Sequence, residues 1–441
     1  MNTFEAPQSP HKNNVVRYDL YRGHPNFNML PQSEMKAIMS TLLKDEEDSW
    51  KKYLNYGANV GDDRFISALR SFLLRRTADD DIGGVTPHND SETSEFFITG
   101  GVSHGLDLLC STCTKPGDEV WIERPTYFLS TQIFKSNGLI VKSLPMSMPG
   151  KIDIDRLINM VEKDGISPPK MLYIIPSYHN PTGLSMSVDD RKKLASFAFK
   201  NGVLVVCDEV YHLLDFELAD HDDNAASSPR PAGMVRFNAH AQTIDDGRDD
   251  NIDNNHGCCI SVSSFTKIFA PGVRMGWIEA PPFIIQRLSH HGYIDSQGGN
   301  APFMANMMRQ AIESGLLDSY LDKLQIDYKE RYELVCGILQ EEPRLLVLSI
   351  NEPRAGGYFI WVQFPPTVNA EQFLDYSLEQ YGVRFMVGTK TNPIPDDNDD
   401  IGNVIQSCAR LCFVDLDRDD LREGTEAFVE AFQSYMKSIE A

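Results

Sequence analysis

The stretch SFTKIFAPGVR, residues 264–274, decides the fold of this chain. It follows GCCISVS at 257–263, an apolar and β-branched run that predicts a short buried strand. Lys267 therefore stands at the mouth of a strand, where a charged amine is costly unless it has a partner or a chemical task. The stretch thus predicts a lysine with a function at a strand end.

Groups that bind phosphate surround this lysine. Ser264, Thr266 and Arg274 can donate hydrogen bonds to a phosphate, while the amine of Lys267 can bond covalently to an aldehyde. Pyridoxal 5′-phosphate (PLP) carries both groups, so the stretch predicts a PLP site. The alternative is a surface lysine and arginine that bracket a loop, and the stretch alone leaves that alternative open.

Two further apolar runs predict one βαβ unit. The run MLYII and the turn-rich loop PSYHNPTG that follows it occupy 171–183, and VLVVC at 203–207 ends in Asp208. Between them, 187–201 has a serine cap, early acids and apolar residues at helical spacing. Asn180 and Asp208 are therefore predicted at strand carboxyl ends, the edge at which open α/β sheets bind ligands.

The chemistry of PLP gives these residue types a role. A buried carboxylate opposite the ring nitrogen keeps that nitrogen protonated, because an opposite charge raises its pKa, and Asp208 can supply the carboxylate. The Asn180 amide and the Tyr211 hydroxyl can donate to the 3′ oxygen of the ring. Taken in isolation, Asp208 could equally be a carboxylate that caps a turn.

A glycine-rich turn upstream predicts a phosphate cradle. The strand EFFI at 95–98 runs into TGGVSHG at 99–105, which opens a helix. Glycines permit close backbone approach, and a helix N-terminus offers free N–H groups to an anion. Gly101, Val102 and Ser103 are therefore predicted to bind the cofactor phosphate.

Tyr127 follows another predicted strand and a turn proline. At that position its ring could stack on the cofactor ring. The alternative is a core tyrosine.

Together these residues resemble the class I/II aminotransferases, the fold-type I PLP enzymes. The resemblance is carried by the Asp208-x-x-Tyr211 step, by Asn180 upstream of it and by the stretch at 264–274, and it covers about residues 18–430. It implies an α/β fold, with a large domain whose mostly parallel seven-stranded sheet is flanked by helices, plus a smaller α+β domain.

The expected domain boundaries follow from that fold. They are a tail at 1–16, a segment at 17–56 that joins the small domain, a large PLP-binding domain at 57–309 with an acidic insertion at 217–257, and a small domain at 310–441. The insertion is rich in Asp, Asn, Ala and Gly and poor in apolar residues, which predicts a surface excursion.

The resemblance also implies roles for residues far from the lysine. The tyrosine that matches Tyr56 reaches the cofactor phosphate of the neighbouring subunit, which implies a homodimer with shared active sites. Arg410, in CARLCF at 408–413, matches the strand whose arginine binds the substrate α-carboxylate, a role that its planar donors suit. Arg384 is the second candidate for that role and ranks lower, because it precedes a loop.

The N-terminal segment RGHPNFNMLP at 22–31 resembles the 2-aminoadipate and kynurenine aminotransferase branch. In that branch the glycine backbone lies beside the substrate, which makes Gly23 a substrate-binding candidate together with Asn180 and Arg410. Arg22 is a candidate partner for a distal substrate carboxylate, and the alternative is an arginine in solvent.

Two positions depart from the pattern of that branch. Leu30 stands where the branch often has phenylalanine, and Val102-Ser103 stands where it often has Ser-Gln. Val102 can contribute only its backbone N–H, so fewer phosphate contacts are expected on that side.

The sequence therefore predicts a PLP-dependent aminotransferase that moves an amino group from an L-amino acid to a 2-oxo acid, with 2-oxoglutarate as the expected acceptor. The expected donor is 2-aminoadipate-like or aromatic. A PLP-dependent C–S β-lyase or a related lyase or synthase has the same residue pattern. A PLP-fold regulator is a third alternative, which the lack of a basic patch disfavours.

Composition excludes some classes of binding partner. The chain has 441 residues and a net charge of −22, which argues against nucleic acid and anionic membranes as partners. The first residues lack the basic region and the apolar region of a secretory signal peptide. No apolar run is long enough to span a bilayer, so we expect a cytoplasmic protein.

Cysteine and histidine usage predicts no metal site. The spacing of Cys110 and Cys113 matches a redox motif, but these residues fall in an amphipathic helical stretch, which favours buried thiols. The eleven histidines show no ligand spacing.

Overall fold

The computed structural model describes residues 15–44, 47–76, 95–216, 257–352, 355–394 and 400–440. Apart from Gly257, the acidic insertion predicted at 217–257 lies outside these residues, as does most of the predicted N-terminal tail.

The strands in the described residues are β1 (Tyr18–Asp19), β2 (Glu95–Thr99), β3 (Glu119–Ile122), β4 (Ile140–Ser143), β5 (Met146–Met148), β6 (Lys151–Ile152), β7 (Met171–Ile174), β8 (Leu204–Asp208), β9 (Asp215–Phe216), β10 (Cys258–Ser264), β11 (Gly276–Ala280), β12 (Leu346–Val347), β13 (Ala355–Gly356), β14 (Phe359–Gln363), β15 (Val383–Arg384), β16 (Met386–Val387) and β17 (Cys408–Cys412).

The α-helices in the same residues are Gln32–Leu42, Glu47–Tyr53, Asp63–Arg76, Val102–Cys113, Ser130–Ser136, Ile154–Glu162, Val188–Asn201, Phe265–Ile268, Pro282–Ser289, Gly292–Gln297, Pro302–Glu313, Leu316–Gln340, Ala370–Tyr381, Asp400–Ile405 and Arg418–Glu440.

A seven-stranded sheet in the order β2-β11-β10-β8-β7-β3-β4 forms the centre of the molecule. All of its strands except β11 run in the same direction. This confirms the predicted mostly parallel sheet. In the register, Val262 of β10 pairs with Asp208 of β8, so the two strands end at the same edge.

Helices cover both faces of this sheet, so the central strands β7 and β8 are buried along their whole length. Alternate residues of a strand face opposite sides, so Tyr173 of β7 packs in one apolar cluster while Leu172 and Ile174 pack in another. The first cluster includes Leu109 from the helix Val102–Cys113, and the second includes Leu194 from the helix that follows β7.

The helix predicted at 187–201 occupies Val188–Asn201, and its ends follow from its sequence. Ser187 Oγ accepts a hydrogen bond from the Asp190 N–H over 3.1 Å, which satisfies a free donor of the first turn. The helix ends at Gly202, whose φ of 68° is left-handed and suits glycine. The βαβ unit was therefore predicted almost to the residue.

A second, antiparallel sheet in the order β12-β14-β17-β16 lies toward the C-terminus. On β17, Arg410 pairs in register with Trp361 of β14 and with Met386 of β16. The N-terminal strand β1 pairs in parallel with β15, which joins the N-terminal segment to this part of the chain. The limits of the two domains remain a prediction.

No helix in the described part of the chain is both long and apolar enough to cross a membrane. Within the same ranges, no group of three or more His, Cys, Asp or Glu side chains is arranged to hold a metal ion. The eight cysteines are free thiols, and Cys110 and Cys113 are buried in the helix Val102–Cys113.

Candidate active site

Lys267 lies directly after β10, in the short helix Phe265–Ile268. Ser264 caps this helix, because its Oγ accepts a hydrogen bond from the Thr266 N–H over 3.0 Å. The same hydroxyl donates to the Met275 carbonyl over 3.0 Å and lies 2.7 Å from Thr266 Oγ1. These bonds fix the direction in which the lysine leaves the sheet edge.

The side chain of Lys267 is half-buried, and its amine lies between a backbone carbonyl and an aromatic ring. Its Nζ donates to the Gly23 carbonyl over 2.9 Å and lies 5.0 Å from the centroid of the Tyr358 ring. Burial, assisted by nearby Arg410, lowers the pKa of Lys267 to about 8, although Cys412 and Asp208 oppose the shift. An amine with this pKa is partly neutral near neutral pH, which a nucleophile or general base requires.

Asp208 offers one free carboxylate oxygen. It is buried at the end of β8, and Tyr173 donates its hydroxyl proton to Oδ2 over 2.8 Å. Oδ1 is buried and has no hydrogen-bond partner among the described residues. Burial raises the pKa of Asp208 to about 6, although the Tyr173 hydrogen bond lowers it. An open buried acceptor of this kind fits the protonated ring nitrogen of PLP.

Tyr173 has no predicted role in the sequence, and its hydroxyl yields a testable expectation. Its bond to Oδ2 stabilises the ionised form of Asp208, so Tyr173→Phe should raise the pKa of Asp208 further. We expect kcat/KM to fall about tenfold near neutral pH, with the acid limb of its pH profile displaced to higher pH. An unchanged acid limb would show that the tyrosine is only a packing residue.

A glycine turn joins β2 to the helix Val102–Cys113. Gly101 begins this helix with a φ of 100°, and a Cβ on it would lie 3.1 Å from Arg274 Nη2. Arg274 Nη2 donates to the Gly100 carbonyl over 3.1 Å. Val102 and Ser103 form the first turn of the helix, with Ser103 exposed. The structure thus brings a guanidinium to a helix N-terminus, an arrangement that fits a phosphate.

Arg410 and Asn180 meet at the other side of the site. Arg410 Nη1 donates to Asn180 Oδ1 over 3.0 Å, and Nη2 donates to the Tyr21 carbonyl over 2.7 Å. The guanidinium carbon lies 4.0 Å from the centroid of the Phe359 ring. Both Arg410 and Asn180 are buried.

In the described part of the chain, the guanidinium of Arg410 has no counter-ion. Across the described ranges, no carboxylate lies within ion-pair distance of Arg410, and its Nε has no hydrogen-bond partner. A buried cation without a paired anion is costly, so a site of this kind favours a bound carboxylate.

The other two candidate arginines are already paired. Arg384 donates two hydrogen bonds to Asp19, one of them from Nε over 3.0 Å. Arg22 Nε lies 3.1 Å from Asp19 Oδ2, and its side chain is 60% exposed. The geometry therefore favours Arg410 over Arg384 as a carboxylate ligand and leaves Arg22 at the rim.

The three tyrosines predicted to contact the cofactor differ in how deeply they are buried. Tyr211 is buried, with its ring centroid 5.4 Å from that of Tyr358, while Tyr127 is half-buried in the loop between β3 and the helix Ser130–Ser136. Tyr56 is 80% exposed and lies against Gly298. Among the described residues, Tyr56 makes no hydrogen bond or ring contact with another predicted site residue.

Two buried charged residues that the sequence did not single out, Glu123 and Arg191, hold the loop that carries Asn180. Glu123 Oε2 accepts the Ile175 N–H over 2.7 Å and lies 3.3 Å from His179 Nε2. Arg191 Nη2 donates to the Pro176 carbonyl over 2.7 Å and to Ser177 Oγ over 3.0 Å. A signal was present, since charged residues within predicted buried segments need partners, but the sequence does not say which.

Comparisons with known proteins match the chain to one family and to several relatives. The family model for aminotransferase class I and II matches residues 24–428. The 2-aminoadipate transaminase of Thermus thermophilus is 25% identical over 419 residues, which cover 95% of this chain and 90% of that protein. Aromatic-amino-acid aminotransferase 1 of Thermococcus litoralis is 26% identical over 352 residues, 78% of this chain and 73% of that protein.

A solved structure shares the fold over nearly its whole length. The multiple substrate aminotransferase of Thermococcus profundus has a TM-score of 0.75, with 24% sequence identity over 97% of this chain and 93% of that chain.

Proposed function

This chain belongs to the class I and II aminotransferase family and is a PLP-dependent aminotransferase, and on that premise we propose that it moves the amino group of an L-amino acid to 2-oxoglutarate. We propose a 2-aminoadipate-like or aromatic amino acid as the donor. The observation that carries the proposal is the buried Arg410 guanidinium, which lacks a carboxylate partner among the described residues and suits the α-carboxylate that all these substrates share.

When bound, PLP supplies an aldehyde that takes up the amino group and a ring that accepts the electron pair left by the departing α-proton. Lys267 is the proposed covalent attachment point, and its amine is the proposed base. Because burial lowers the pKa of Lys267 to about 8, a fraction of the free amine is neutral near neutral pH and can accept the α-proton of the substrate.

The remaining residues are proposed to bind and orient. Asp208 would keep a proton on the ring nitrogen through Oδ1, and Asn180 and Tyr211 would donate to the 3′ oxygen. Tyr127 would stack on the ring. The N–H groups of Gly101, Val102 and Ser103 would bind the phosphate, together with the Thr266 hydroxyl and the Arg274 guanidinium. The Ser264 hydroxyl would join them by giving up its hydrogen bond to the Met275 carbonyl.

We propose that Gly23 and Arg22 influence which amino donor binds. The Gly23 carbonyl already contacts the Lys267 amine, so this backbone borders the reacting atoms. Arg22 can leave Asp19 at little cost, because the Arg22 side chain is 60% exposed and Asp19 keeps its two bonds from Arg384. Arg22 could then bind the distal carboxylate of 2-aminoadipate or glutamate.

Two arginine variants separate these roles. Arg410→Ala should raise KM for every substrate, by roughly 100-fold, because the α-carboxylate contact is shared. Arg22→Ala should raise KM about tenfold for 2-aminoadipate and glutamate and leave aromatic donors unchanged. The measurement is steady-state kinetics with one dicarboxylic and one aromatic donor.

Arg17→Ala is the matched control, because Arg17 is another exposed arginine of the same segment and pairs only weakly with Glu423, at 3.7 Å. Equal losses for both donor classes in Arg22→Ala would remove Arg22 from the site. A loss in Arg410→Ala that spares one donor class would contradict the shared α-carboxylate contact.

The substrate proposal is tested with a panel of L-amino acids against 2-oxoglutarate and against pyruvate. We expect glutamate to form with 2-aminoadipate or with an aromatic donor. A clear preference for pyruvate would overturn the proposed acceptor. Release of ammonia and pyruvate without any oxo acid acceptor would point instead to a lyase.

We also propose a cytoplasmic homodimer with shared active sites. Tyr56 and Leu54 are 80% and 74% exposed, a large exposure for apolar and aromatic side chains. In a dimer, Tyr56 would reach the cofactor phosphate of the neighbouring subunit, which accounts for its exposure within one chain.

A further inference from the structure

A histidine with no role in the chemistry described above holds the glycine turn of the phosphate cradle. The Gly100 N–H donates to His104 Nδ1 over 2.8 Å, from one turn inside the helix Val102–Cys113. The Gly100 carbonyl accepts from Arg274 Nη2 over 3.1 Å. Gly100 is thus held on both sides, by the imidazole through its N–H and by the guanidinium through its carbonyl.

We propose that His104 is a positioning residue whose neutral imidazole holds the Gly100–Gly101 turn in the shape that presents the helix N-terminus and Arg274 to the cofactor phosphate. Protonation of the ring releases the turn and weakens cofactor binding. The inference rests on the proposed function, since it needs the cofactor phosphate at this turn. His104 acts through Gly100.

The hydrogen bond itself fixes the state of the ring. A backbone N–H can only donate, so Nδ1 accepts, and the neutral ring carries its proton on Nε2. A protonated ring has N–H at both nitrogens, so two donors would face each other across this contact. Nε2 of His104 is buried and has no hydrogen-bond partner among the described residues, so a charged ring gains no compensating bond there.

The surroundings also favour the neutral ring. Burial is the largest influence and lowers the pKa of His104; His291 lowers it further, while Asp107, one turn along the same helix, raises it. The Tyr293 ring packs edge-on at 5.8 Å, and Arg274 lies across Gly100. A helix N-terminus likewise disfavours a cation. Protonation of the ring is therefore disfavoured at neutral pH, where the contact is intact, and the contact is lost as the pH falls.

The experiment follows the release of pyridoxamine 5′-phosphate, which has no aldehyde and so depends on non-covalent contacts. Holoenzyme loaded with this form is passed through rapid gel filtration at about pH 8 and about pH 5.5, on either side of the histidine range. His104→Asn keeps an oxygen acceptor at the position of Nδ1 and does not titrate. His104→Phe keeps a ring against Tyr293 and has no acceptor.

At about pH 8, His104→Asn should retain the cofactor as wild type does, and His104→Phe should release it about tenfold faster. At about pH 5.5, wild type should release it about tenfold faster than His104→Asn, because both share every other titrating group. Release from His104→Phe at the wild-type rate at pH 8 would overturn the proposal, and so would identical acid profiles of wild type and His104→Asn. Either comparison decides alone if the other variant fails to fold.

Two further variants distinguish an error in the role of His104 from an error in the proposed phosphate site. His290→Gln changes an exposed histidine and should behave as wild type. Arg274→Ala should accelerate release at both pH values. If Arg274→Ala has no effect, the proposed phosphate site is wrong. If it accelerates release while the His104 variants match wild type, only the role of His104 is wrong.

Discussion

Replacing Lys267 with alanine is expected to abolish turnover while the fold and non-covalent PLP binding persist. The side chain supplies the proposed covalent attachment point and the proposed base, and general acid–base catalysis alone contributes roughly 10²–10⁴-fold. We therefore expect kcat to fall by about 10⁴-fold or more. The Gly23 carbonyl loses one donor, a small cost to stability because part of the site is open to solvent.

The attachment is measured by borohydride reduction of the holoenzyme, followed by peptide mass mapping. Wild type should carry the phosphopyridoxyl mass on the peptide that contains Lys267, and the variant should carry none. Lys193→Ala is the control, because Lys193 is a surface lysine whose Nζ lies 3.2 Å from Asp155. If Lys267→Ala retains reducible cofactor at wild-type stoichiometry, another lysine holds it.

Asp208→Asn is expected to bind PLP and to slow α-proton removal by about 10³-fold. An asparagine can still meet the ring nitrogen, but it carries no charge to keep that nitrogen protonated. Each tenfold loss corresponds to about 1.4 kcal/mol of barrier. The rate is measured in a single turnover with the amino donor alone, so that acceptor binding does not contribute.

Two other variants serve as controls for Asp208→Asn. Tyr173→Phe leaves the Asp208 carboxylate in place and should show a smaller loss than Asp208→Asn. Asp155→Asn changes an exposed carboxylate and should have no effect. Single-turnover rates of Asp208→Asn within a few-fold of wild type would mean that Asp208 is not the partner of the ring nitrogen.

Local signals in the sequence predicted the central sheet and much of the proposed site. The apolar runs before Asn180 and Asp208, and the capped helix between them, specify their secondary structure through residues close in the chain. Parallel strands then bring their carboxyl ends to one edge, which places Lys267 with the other two. The roles of these residues stay predictions until the variants are measured.

The choice between two arginines depended on contacts that the sequence does not display. Arg384 and Arg410 both lie in the C-terminal part of the chain, but β1 pairs with β15 and brings Asp19 onto Arg384. Arg410 on β17 meets only uncharged partners in the described residues. Pairing of strands that are far apart in sequence decided which guanidinium was left without an anion.

Tyr173 and His104 could not be assigned from sequence for a similar reason. A tyrosine in a buried strand needs a hydroxyl partner, but only the register between β7 and β8 identifies that partner as Asp208. A histidine in a helix is most often a packing residue, and only the folded turn brings Gly100 onto its Nδ1.

Product stoichiometry in two half-reactions tests the central claim most directly. PLP holoenzyme is mixed with 2-aminoadipate or an aromatic amino acid, without an oxo acid, and 2-oxoglutarate is added after the cofactor spectrum has changed. We predict one equivalent of oxo acid per active site in the first step, no ammonia, and then one equivalent of glutamate with full recovery of the original spectrum. Ammonia released continuously in the first step, or no glutamate in the second, would contradict the account.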